Sequence, residues 1–177
     1  MLTQEQLDEF KPWLISVVKT GSRTLPWIKN PHDHDFIFYT QDIDNGKLLA
    51  KLFKLKQKEC WGVSLLEPKF APFAYEYHYM QVLYGSQKPN YNIFEHIHDY
   101  KTCLVKYGLN RKLDDKKTWY HILTGIYLLD NGKYSLTEEQ IININLCHDK
   151  QITDDIYEYI QERLTVYSAE TSAIKKF

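Results

Sequence analysis

Hydrophobic positions change their period along the chain near Pro72. Before it, short apolar runs are separated by polar turns; after it, apolar residues recur at three- and four-residue spacing. Thr3, followed three residues later by Gln6 and then by Leu7, Phe10 and Trp13, predicts a short capped helix that Pro12 limits. Leu14, Ile15, Ser16, Val17 and Val18 form a β-branched run that stops at Thr20, Gly21 and Ser22, which predicts a strand entering a tight turn. Beyond a loop with Pro26 and Pro31, residues 33–40 read as a second strand with a polar start and a buried body. Leu48, Leu49, Leu52, Phe53 and Leu55 predict a helix over 44–58, and 60–66 reads as a third strand.

Helical spacing then predicts helices at about 74–84, 91–107, 116–129, 137–147 and 153–166. Thr137 with Gln140 is a second capping box, and Asp130, Asn131 and Gly132 are a helix stop. The expected fold is α+β. A small mixed sheet with helices occupies 1–72, and a helical subdomain packed on it occupies 73–177.

Composition narrows the function classes. A chain of 177 residues can bury a sizeable core without disulfides or a structural metal. Its 22 Lys+Arg against 23 Asp+Glu give a formal charge of -1, which argues against gripping duplex DNA by bulk electrostatics. No apolar run approaches a membrane span, and residues 1–10, with Glu5, Asp8 and Glu9, lack the order of a signal peptide. Cys60, Cys103 and Cys147 are an odd number without CxxC spacing, so reduced thiols and a cytoplasmic setting are expected. Abundant Tyr, Lys, Asn and Ile suit an AT-rich coding genome, bacterial or phage.

The chemistry concentrates in Gly21, Ser22 and Arg23, then nine residues, then Asp33, His34 and Asp35 running into Phe36, Ile37, Phe38 and Tyr39. On a strand, residues i and i+2 share a face, so the carboxylates of Asp33 and Asp35 are expected side by side, with His34 turned away. A divalent cation relieves their repulsion, and Mg²⁺ favours one or two carboxylates together with substrate phosphates. Gly21 lets a backbone approach closely, and Ser22 offers a hydroxyl and an N–H to a phosphate oxygen.

This pattern resembles the small nucleotidyltransferases of the DNA-polymerase-β-like superfamily, in which a strand leads to Gly-Ser, a spacer of about ten residues, and Asp-x-Asp opening the next strand. The quoted motif covers only Val17 to Thr40; the downstream helix order, including Lys117 with His121, is also similar to stand-alone members. The resemblance implies a short mixed sheet followed by a helical region, and transfer of a nucleoside monophosphate from an NTP to an acceptor hydroxyl. It implies that Gly21 and Ser22 hold the triphosphate and that Asp33 and Asp35 bind Mg²⁺ or Mn²⁺. A third carboxylate on the third strand would activate the acceptor; Glu59 and Glu67 are the candidates, and Glu59 has the favoured position. The acceptor is open among a tRNA end, a protein and a small molecule.

Arg23, Lys117 and His121 are further candidates for phosphate contact, weighed against an exposed surface arginine and an exposed helix face. Tyr75, Tyr77, Tyr79 and Tyr84 offer a stacking platform for bases, but read better as half-buried packing aromatics. Cys147, His148 and Asp149 are discarded as a nucleophilic centre, since adjacency in sequence is not the geometry a Cys-His pair needs. The alternative function, from another class, is a catalytically weak nucleotide-binding and interaction module of the antitoxin-like kind.

Overall fold

The computed structural model describes residues 5, 8, 11–12, 14–41, 44, 63–64, 71–86, 88, 90–112 and 119–174. The fold is α+β. Contacts divide the chain into two compact units, one comprising Met1–Pro26, Asn30–Pro68 and Glu76–Tyr91, the other Trp27–Lys29, Lys69–Tyr75 and Asn92–Phe177.

Among the described residues, the first unit carries a four-stranded sheet in the order β3-β2-β1-β4. Strand β1, Leu14–Thr20, runs antiparallel to β2, Asp35–Thr40, with Thr20 opposite Asp35 and Val17 opposite Phe38. Strand β3, Val63–Ser64, lies parallel to β2, and β4, Gln81–Tyr84, lies antiparallel to β1. Burial along β1 does not alternate: Ser16, Val17 and Val18 are all fully enclosed, so both faces of this strand are covered.

Residues 74–84 depart from the expected α-helix. They form a 3₁₀ helix, Ala74–His78, followed by β4. The apolar spacing is there, but it serves a short turn and an edge strand. Tyr75 and Tyr77 are buried, as packing aromatics should be, and Tyr77 meets Tyr91 edge-on at 5.9 Å between ring centres.

Among the described residues, the second unit holds four α-helices: α1, Ile97–Gly108; α2, Trp119–Asn131; α3, Glu138–His148; and α4, Asp154–Ile174. Helix α2 is enclosed almost all round, with Trp119 and Ile122 to Leu129 buried, so it is the centre of this core. It stops at Gly132, whose φ of 65° is a conformation glycine adopts without strain. The capping box of α3 is formed: Thr137 Oγ1 accepts from the Gln140 N–H at 3.2 Å, and Gln140 Oε1 accepts from the Thr137 N–H at 3.0 Å.

Helix α1 starts later than the expected residue 91. The Asn92 side chain accepts from the Phe94 N–H at 2.9 Å, a local turn that competes with helix. Helix α4 runs beyond the expected residue 166, because Ile156, Ile160, Leu164, Tyr167 and Thr171 continue one buried stripe. Each buried Ile or Leu of that stripe contributes roughly 1.5–3 kcal/mol relative to exposure. Among the described residues, no helix is long and apolar enough to cross a membrane.

Candidate functional site

The end of β1 and the start of β2 meet because Thr20 and Asp35 are cross-strand partners. Gly21 follows at φ 75° and ψ -164°, a region open essentially to glycine. Its missing side chain has a second use: a Cβ there would overlap Asp35 Oδ2. The glycine therefore sets how closely the Asp35 carboxylate approaches the turn. Ser22–Thr24 forms a 3₁₀ turn, closed where the Gly21 carbonyl accepts from the Thr24 N–H at 3.0 Å and the Thr24 hydroxyl at 2.9 Å.

The motif residues fall into two groups. Gly21 and Asp35 are packed together, and Asp35 Oδ1 is withdrawn from water. Ser22 adjoins them and is itself buried. Asp33 lies two residues before β2, in an exposed bend, so strand alternation applies to Asp35 and not to Asp33. Arg23 is exposed, and its Nε donates to the Asp33 carbonyl at 2.8 Å, tying the turn to the approach of β2. His34, just before β2, stacks on Phe36 with ring centres 6.3 Å apart. Glu59, Glu67 and Lys117 lie outside the described residues.

Sequence reasoning missed Glu76. This acid is 4% exposed, and its Oε2 accepts from the Thr20 hydroxyl at 3.0 Å and the Gly21 N–H at 3.3 Å. Burial pushes its carboxyl up to about 7, and the nearby Asp35 charge adds to the rise, while the two hydrogen bonds oppose it. One residue, Gly21, thus touches both acids, Asp35 through its Cα side and Glu76 through its N–H. The signal was an acid between two aromatics, Tyr75 and Tyr77.

In the second unit, His121 on α2 is a packing and hydrogen-bonding group. Its Nδ1 lies 2.8 Å from the Tyr75 hydroxyl, and the rings of Phe73, Tyr75 and Tyr120 surround it at 5.9, 6.0 and 3.8 Å. Burial, helped by the charge of His148, pushes its pKa down to about 3, so the imidazole carries no positive charge for a phosphate at neutral pH. Burial also raises the Cys147 thiol to about 12, in keeping with its dismissal as a nucleophile. Compared with family models, curated proteins and solved structures, the chain matches none.

Proposed function

We propose that the protein transfers a nucleoside monophosphate from an NTP to an acceptor hydroxyl, using a divalent cation at the start of β2. The supporting observation is that Gly21 and Asp35, from opposite ends of the motif, pack against each other. The donor set suits Mg²⁺ or Mn²⁺: hard carboxylate oxygens, one of them on Asp35 already shielded from water. Asp33 and Asp35 would hold the ion, which when bound offsets the charge of the phosphates.

In the reaction, the acceptor oxygen forms a bond to the α-phosphorus, the bridge to the β-phosphate breaks, and pyrophosphate departs with the bridging oxygen. The acceptor's proton passes to a carboxylate base, the role reserved for Glu59. The turn at Gly21 and Ser22 orients the triphosphate, and Arg23 keeps that turn tied to the Asp33 carbonyl.

A second reading, a nucleotide-binding or interaction module without turnover, is favoured by one observation: the Gly21 N–H is donated to Glu76, which removes it from phosphate binding. Calorimetry with each of the four NTPs, with and without Mg²⁺ or Mn²⁺, tests the site. Metal-dependent binding that Asp33→Asn/Asp35→Asn abolishes is expected, and labelled NTP with tRNA, protein and small-molecule acceptors then reads transfer. Binding without transfer to any of these favours the module. A double mutant with full transfer activity removes Asp33 and Asp35 from the catalytic site.

A further inference from the structure

The carboxylate of Glu76 is committed to the backbone it touches. Its Oε2 takes donors from two consecutive residues, the last of β1 and the first of the turn, at 3.0 and 3.3 Å. Its Oε1 is equally closed to water. On the other flank, the Gly21 carbonyl is held by Thr24. A residue at φ 75° and ψ -164° persists only where its surroundings over-determine it, and these two flanks do so. The neighbouring Tyr77, buried and edge-on to Tyr91, fixes the 3₁₀ segment from which Glu76 reaches.

We infer that Glu76 is a positioning residue: by accepting from Thr20 and Gly21 it sets the turn that presents Ser22 beside Asp35, and it touches neither nucleotide nor cation. What the turn presents Ser22 to rests on the proposed nucleotide site; what Glu76 does to the turn does not. The task calls for acceptor lone pairs rather than for charge. A glutamine supplies the same acceptor oxygen, whereas a metal ligand or a general base would lose its function on that exchange.

Two readouts on the full chain separate these roles. The first is amide hydrogen exchange at Gly21, followed by NMR in the wild type, Glu76→Gln, Glu76→Ala, Thr20→Val and Thr20→Ser. The second is calorimetric binding of Mg²⁺ with NTP by the same proteins, beside Asp35→Asn. Glu76→Gln and Thr20→Ser should keep Gly21 exchange and metal-dependent binding within about threefold of wild type. Glu76→Ala should speed Gly21 exchange by about tenfold or more, the cost of a lost hydrogen bond to an acidic acceptor.

Loss of Mg²⁺-dependent binding in Glu76→Gln, as in Asp35→Asn, would overturn the inference, because Glu76 would then act on the ligand itself. Unchanged Gly21 exchange in Glu76→Ala would overturn it too. If that variant does not fold, Thr20→Val decides: faster exchange at Gly21 supports the clamp, and unchanged exchange refutes it. If the wild type binds no NTP with any metal, the nucleotide site fails, while Gly21 exchange still decides the role of Glu76.

Discussion

Two carboxylates, one in each unit, are housed in opposite ways. Asp130 on α2 accepts from Arg163 Nη2 at 2.6 Å and from the hydroxyls of Tyr167 at 2.7 Å and Tyr159 at 3.0 Å. Its charge is answered by a guanidinium, and the cluster joins α2 to α4. Glu76 is buried against a hydroxyl and a backbone N–H, with Asp35 close enough to raise its pKa. The first arrangement serves the helical core. The second disfavours the ionised acid, since burial and the Asp35 charge both raise the Glu76 carboxyl.

The largest expected effect falls on the strained side of this comparison. Gly21→Ala should cost about 3–5 kcal/mol in chemical denaturation, because it combines a glycine-only backbone conformation with overlap on Asp35. A cost below about 1 kcal/mol would mean that Asp35 moves aside freely.

Glu76 sets the next. Its folded pKa lies above its ordinary value, 4.5 rising to about 7, so the native state binds more protons than the unfolded chain between those limits. The stability it contributes is complete below about 4.5 and is lost as pH rises through 7, an amplitude of roughly 3 kcal/mol. Denaturation curves over this range should show the slope in the wild type and not in Glu76→Gln. An equal slope in both proteins would assign the proton to another group.

Asp130→Asn should cost about 1–2 kcal/mol, since the amide keeps an acceptor but leaves Arg163 with a neutral partner in a half-exposed cluster. Smaller still, Tyr75→Phe should cost about 1 kcal/mol for the lost bond to His121. The His121 contribution has the opposite pH sense to that of Glu76: its folded pKa is depressed, so its stability is present above about 6.5 and is lost as pH falls toward 3. An imidazole NMR titration near 6.5 in the folded protein would contradict the burial of this ring.

Sequence and structure agree where a local signal is sufficient. The β-branched run ending at Gly21, the capping box at Thr137 and the stop at Gly132 each act within a few residues, and each stands where the pattern puts it. The segment 74–84 went astray because tyrosines spaced for a helix also suit a 3₁₀ turn and an edge strand. Of the candidate site, the spacing set the Gly21 turn and the Asp35 strand as two halves of one site, but not the direct packing of Gly21 on Asp35. Glu76 was not legible, since its partners Gly21 and Thr20 stand 55 and 56 positions earlier, beyond any periodicity.

The loop between β1 and β2 carries a consequence for biosynthesis. The Trp27 carbonyl and the Lys29 N–H both pair with the side chain of Asn145, at 2.7 and 2.9 Å, and Trp27 and Ile28 are buried. These residues leave the ribosome well before Asn145, which stands 116 positions after Lys29. Until Asn145 emerges these two hydrogen bonds cannot form, so the connecting loop of the early hairpin gains them only late in synthesis.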